Sequence, residues 1–139
     1  MRNDDNKNEL FAFLADECTK IAVEDGKLVI STNGTDIMDT GEVQNRNSIA
    51  PCSHEEADTR LILHAAHVGK SEMKKVMIKT VDTDVVVLAI SFFSECSLDE
   101  LWVEFGSGKY HRYISIHVLH KAFTKEQAQA LRFSCIYRM

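Results

Sequence analysis

Apolar residues recur at helical spacing near the start of the chain. Leu10, Phe13, Leu14, Ile21 and Ala22, with Phe11 in addition, predict an amphipathic helix over residues 6–22. KLVIS at Lys27–Ser31 predicts a short strand and Asn33-Gly34 a turn. Thr35–Ala50 is polar throughout and predicts a loop or a weak extended piece. Pro51 interrupts what precedes it, and Ser53-His54-Glu55-Glu56 has the pattern of a capping box opening a helix over Ser53–Val68. That helix places Leu61, Ala65 and Val68 on one face. Lys75–Val81 then reads as a strand whose near-continuous Val76-Met77-Ile78 is of the buried parallel type. Asp84 is expected to cap a second helix over Val85–Phe93. ELWVEF (Glu100–Phe105) predicts another strand, Gly106-Ser107-Gly108 a turn, and Tyr113–Ile116 a fourth strand. Ile116–Phe123 and Lys125–Leu131 predict helices, and Phe133–Met139 matches no strong pattern.

This order of elements favours an α/β fold, a three-layer sandwich around a mostly parallel sheet. The 139 residues, 45% of them hydrophobic, suffice for one domain with its own core. The expected organisation is a single domain over 1–139, with a variable helix and loop over 1–50 and a divergent tail over 124–139. The longest apolar run, Val85–Phe93, is too short to cross a bilayer, and the polar start MRNDDNKNE does not match a signal peptide. Four widely spaced cysteines form no CxxC pair, which predicts a reducing intracellular compartment, nucleus and cytoplasm undistinguished. A net charge of −5 argues against a surface that simply adheres to nucleic acid, but not against an enzyme acting on phosphodiesters. Lys70, Lys74 and Lys75 read as a solvated loop. Lys109, His111 and Arg112 lie in a glycine-flanked loop where Lys109 and Arg112 are candidates to touch a phosphate.

The chemistry-bearing feature is a set of acids in two short clusters, Glu56-Ala57-Asp58 and Asp82-Thr83-Asp84. A helix of about 14 residues and a strand of about six are both roughly 20 Å long. Packed antiparallel, the helix brings its N-terminus beside the carboxyl end of the strand, where open α/β sheets bind ligands. Four carboxylates gathered there need a hard cation to offset their repulsion. Asp82 and Asp84 can share an ion if the strand persists through them, since residues two apart point to one side; otherwise Asp82 is a turn residue and Asp84 a helix cap. Glu56 and Asp58 diverge by about 200° on a regular helix, whereas Glu55 and Asp58 share a face, so the identity of the helical ligand stays open between Glu55 and Glu56. His64 with His67, and His117 with His120, stand at i, i+3 but lack the cysteines or supporting pattern of a zinc site. Gly106-Ser107-Gly108-Lys109 lacks the upstream glycine and following Ser/Thr of a nucleotide-binding loop.

On PCSHEEADTRLILHAAH and IKTVDTDVVVLA the sequence resembles the PIN-like superfamily, specifically the internal region of its flap-endonuclease (XPG-type) branch, and uncharacterised animal proteins that share the HEEADTR and DTDVVVLA motifs. The resemblance covers about Pro51 to Phe123. It implies a PIN-like sandwich in which Glu56, Asp58, Asp82 and Asp84 are catalytic metal ligands holding Mg²⁺ or Mn²⁺. Nucleic acid would be the partner, and phosphodiester hydrolysis of DNA or RNA the activity. Relatives of this kind carry a further aspartate on an N-terminal strand and another after a glycine-rich turn beyond the region of Phe123. Neither has a counterpart here, and the chain is therefore expected to be a truncated or differently spliced form with lowered metal affinity. The expected function is a divalent-metal nuclease-like domain, inactive in this form if the missing acids are essential; the alternative is a catalytically silent PIN-like interaction module.

Overall fold

A computed structural model of the chain describes residues 4–20, 28–41, 43–52 and 57–136. The chain divides into two compact units, Met1–His54 and Glu55–Met139.

In the first unit, α1 (Asp4–Lys20) precedes a hairpin of β1 (Ile30–Asn33) and β2 (Asp36–Asp39), paired antiparallel with Ile30 opposite Asp39. Gly34 turns the hairpin at φ +60°, a value that favours glycine. The strand β2 lies inside the stretch expected to be a loop. DIMD has only two apolar residues, too few for a period-2 signal; its order comes from Arg46, in a 3-10 turn over Arg46–Ser48. The Arg46 guanidinium donates to Asp39 Oδ2 (2.7 Å), Asp36 Oδ1 (3.0 Å) and the Ile37 carbonyl (2.7 Å). The Asp36 carboxyl is held below its ordinary value, first by the Ile37 N–H and then by Arg46. Among the described residues of this unit, Ala15, Ile37, Ile49, Ala50 and Cys52 are the buried apolar ones. Leu10, Phe13 and Leu14 of the expected apolar stripe are exposed, as is Phe11, and Ala15 is the buried residue of α1; Ile21 and Ala22 lie outside the described residues.

The second unit carries α2 (Ala57–Gly69), β3 (Lys75–Thr80), α3 (Thr83–Phe92), β4 (Glu100–Phe105), β5 (Arg112–Ser115), α4 (Ile116–His120) and α5 (Lys125–Ile136). The predicted start of α2, with its capping box and both Glu55 and Glu56, lies outside the described residues. The sheet order is β3-β4-β5, with β3 and β4 parallel and β4 and β5 antiparallel. The sheet is therefore mixed rather than mostly parallel. The cause is the connection after β4: six residues between Phe105 and Arg112, too few for the crossover a parallel neighbour requires.

Strand alternation sorts the two faces. Ile78, Leu101 and Val103 point to one side and join Val85, Leu88, Ala89, Ile62, Ala65 and Ile116 in a single buried cluster. Here α3 is the central helix, in contact with α2, α4 and α5. Its run Val85-Val86-Val87 is β-branched and would suit a strand, but burial of Val85, Leu88, Ala89 and Ile90 outweighs that preference. On the other face Lys75 pairs with Glu100 at 2.8 Å and Lys79 with Glu104 at 3.1 Å, across the parallel register. Met77, between those lysines, is exposed.

The helix boundaries shift from expectation for local reasons. α4 stops at His120, three residues short of Phe123. α5 opens with a reciprocal cap, in which Thr124 Oγ1 accepts the Gln127 N–H (3.2 Å) and Gln127 Oε1 accepts the Thr124 N–H (2.9 Å). It runs past Leu131 because Arg132 docks it on α3: the guanidinium lies 3.7 Å from the Phe92 ring centroid and donates to the Ser91 carbonyl (2.9 Å) and Glu95 (2.5 Å).

Candidate functional site

The second unit has two distinguishable ends. At one, the close of α2 meets the start of β3 and the loop after α3: the Lys74 ammonium donates to the Gly69 carbonyl at 2.5 Å and to the Ser97 carbonyl at 3.4 Å. A Cβ at Gly69 would stand 1.7 Å from the Cys96 carbonyl oxygen. Since α2 and β3 pack together and are of similar length, roughly 20 Å each, Asp58 in the first turn of α2 is returned toward the opposite end. That end is the carboxyl end of the two parallel strands, where β3 gives way to the start of α3.

Asp82 and Asp84 stand there, in a geometry that differs from the expected one. The strand stops at Thr80, so strand alternation does not align the two acids. Asp82, not Asp84, is the N-cap of α3, with extended backbone (φ −98°, ψ 125°), and its Oδ1 accepts the Asp84 N–H at 2.8 Å. Asp84 sits in the first helical turn, beginning two residues earlier than predicted. The Thr80 hydroxyl, in turn, accepts the Asp82 N–H at 3.1 Å. This chain of local bonds fixes the turn: the apolar strand ends, a short side chain satisfies an orphan helix donor, and the buried helix starts. Asp82 is exposed, while Asp84 and Asp58 are half-buried.

Among the described residues no three His, Cys, Asp or Glu side chains form a group that could hold a metal ion. Asp58, Asp82 and Asp84 share an end of the unit without completing such a group, and Glu56 is not among the residues described. One Asp82 oxygen is already engaged in capping. Glu55 and Glu56, the acids at the predicted start of α2, lie outside the described residues.

The β4–β5 turn lies at the same end. Register puts Thr80 opposite Phe105 and Phe105 opposite Arg112, so Arg112 is level with the last residue of β3, and the Gly106 N–H donates to the Thr80 carbonyl at 3.1 Å. Gly106 adopts φ +84°, and a Cβ there would meet the Tyr110 carbonyl oxygen at 2.8 Å, so the turn requires glycine. The Arg112 guanidinium lies over the Phe105 ring at 5.3 Å and the Lys109 ammonium over the Tyr110 ring at 5.2 Å. His111 Nε2 is 2.9 Å from Glu104 Oε1 and its ring meets Tyr113 edge-on. The Glu104 carboxyl is held below its ordinary value, chiefly by His111 and then by Lys79. Sequence reasoning singled out the cations of this turn and missed Tyr110 between them; the tyrosines among the basic residues of KYHRY were the available signal.

The four histidines do not converge. His117 Nδ1 is 3.1 Å from the Leu101 carbonyl and His120 Nδ1 is 2.8 Å from the Ile90 carbonyl. A carbonyl only accepts, so each Nδ1 carries the proton and both rings tie α4 to its neighbours. On α2, His64 is pushed below its ordinary value by burial first, then by His67 and Arg60.

Compared with known proteins, the chain matches no family model, no curated protein and no solved structure. No helix among the described residues is long and apolar enough to cross a membrane.

Proposed function

We propose that the second unit is a nuclease-like domain of PIN-like, three-layered design, acting on DNA or RNA phosphodiesters with Mg²⁺ or Mn²⁺. The observation that supports this reading most is the β3–α3 junction. There a parallel strand ends in a capped turn that holds two aspartates at the carboxyl end of a β-α-β unit, the position where such sheets bind ligands. In this reading Asp82 and Asp84 are donors from the junction, and Asp58 and Glu56 are donors from the start of α2. The ion, when bound, supplies activation of water and stabilisation of the leaving oxygen. Asp82 also has a task of its own, since its cap bond positions the first turn of α3 and with it the Asp84 carboxylate.

The test is cleavage of labelled DNA and RNA oligonucleotides with Mn²⁺ or Mg²⁺ by the full chain and by Asp82→Asn. Cleavage that needs metal and vanishes in the variant is expected. No cleavage with either metal, together with no metal-induced rise in melting temperature, would refute it.

A catalytically silent interaction module is the second reading. It is favoured by one specific observation: the described acids of this end do not by themselves form a three-ligand group. A melting temperature indifferent to both metals is its signature.

A further inference from the structure

We infer that the turn Gly106–Tyr113 is a stacking platform for single-stranded nucleic acid, with Tyr110 as its principal base-stacking residue. The inference deepens the nuclease reading by naming the form of the substrate. It is carried by the surface chemistry of the turn, and its test needs no metal.

Tyr110 is 74% exposed and Tyr113 58% exposed. A tyrosine ring offers a large apolar surface that folding ordinarily uses. Here burial contributes little for either ring, so their apolar area remains available to a ligand. Two rings of the turn carry a cation: Lys109 lies over Tyr110, and Arg112 is exposed above Phe105, on the face of the sheet opposite to Tyr113. Lys79, on the adjacent row of the sheet, has a side chain 76% exposed. The nearby Glu104 carboxylate is paired with Lys79 at 3.1 Å and lies 2.9 Å from His111 Nε2. The turn is thus locally cationic on a chain whose overall charge is −5.

An exposed ring flanked by positive charges matches a strand whose bases are unpaired and whose phosphates follow alongside. A duplex hides its base faces in the stack, so it gains only the phosphate contacts. The backbone holds the platform in place: Gly106 donates to Thr80, Tyr110 N–H to the Ser107 carbonyl at 3.2 Å and His111 N–H to the Gly108 carbonyl at 3.2 Å. The Thr80–Phe105–Arg112 row sets it beside the junction that carries Asp82.

The experiment is fluorescence anisotropy with the full chain in EDTA. Probes are a 20-nucleotide single strand, the matching duplex, and a single strand of abasic sites. Tighter binding of the base-bearing strand than of the other two is expected. Tyr110→Ala should weaken it about tenfold, and Tyr110→Phe by less than about twofold. Circular dichroism checks that the exposed substitution leaves the fold intact, and Lys109→Ala provides a second variant with a reduced salt dependence. Equal binding of duplex and single strand, no effect of Tyr110→Ala, or equally tight binding of a polyglutamate peptide would each overturn the inference. Single-strand binding with neither cleavage nor a metal-induced rise in melting temperature would support the platform while refuting the metal reading. Metal-dependent cleavage with no preference for single strands would do the reverse.

Discussion

The Asp82 carboxylate accepts the backbone N–H of Asp84 at 2.8 Å. One residue therefore performs a structural task that competes with its proposed metal-binding one, and substitutions can separate the two. Asp82→Ala removes the cap and should cost about 1 kcal/mol, lowering the melting temperature by roughly 3–5 °C at this chain length. Asp82→Asn keeps an oxygen that accepts the same bond, so its metal-free melting temperature should stay near that of the parent.

The metal response should separate differently. If Asp82 is a ligand, Mn²⁺ at about 100 times its dissociation constant should stabilise the parent by roughly 2.7 kcal/mol. Both variants should lose most of that increment, Asp82→Asn included. Thermal denaturation with and without Mn²⁺ provides the check; an Asn variant that keeps the full increment would confine Asp82 to capping.

How far this junction can be read from sequence depends on the range of the forces that make it. Val76-Met77-Ile78 followed by a short acid and a buried apolar run is a local pattern, so the strand, the turn and the helix were all legible. Which aspartate caps was not, because that choice turns on where the strand stops, and both residues suit the role. The strand β2 was hidden because Arg46, seven residues beyond Asp39, supplies its order. The end of α5 was hidden for the same reason, since Arg132 acts through Phe92 and Ser91, about 40 positions earlier in the chain. The antiparallel turn into β5 was written in the short Gly106–Gly108 connection, yet the apolar runs alone pointed to parallel strands. The exposed rings of Tyr110 and Tyr113 had a signal in KYHRY, but an apolar side chain gives no sign in sequence of whether folding will bury it.

Gly69 is the tightest backbone approach among the described glycines. Its added Cβ would fall 1.7 Å from the Cys96 carbonyl oxygen and 3.3 Å from Leu98 Cδ2. Since the first clash is with backbone, relief requires the end of α2 to move away from the loop after α3. Gly69→Ala should therefore destabilise by about 1–3 kcal/mol, despite alanine's better helix propensity. Chemical denaturation should show a lower midpoint; a midpoint equal to or above that of the parent would contradict the close packing.

His64 and His67 set the sign of the acid response near neutrality. Both are held below the usual 6.5, His64 by burial, His67 and Arg60, and His67 by burial and Lys70. A base with a depressed folded pKa is protonated more readily in the unfolded chain. Its contribution is complete above about pH 6.5 and is lost as pH falls through the lower folded value. The paired carboxylates Glu100 and Glu104 are also depressed, by Lys75 and His111 respectively as first cause. Their contribution is lost only below the ordinary value of 4.5. Of these four groups only the two histidines act between pH 7.5 and 5, and through them the melting temperature should fall on acidification. His64→Gln, which cannot take up the proton, should flatten that fall. Melting curves across this interval would test it, and an unchanged slope in the variant would place the acid sensitivity in other groups.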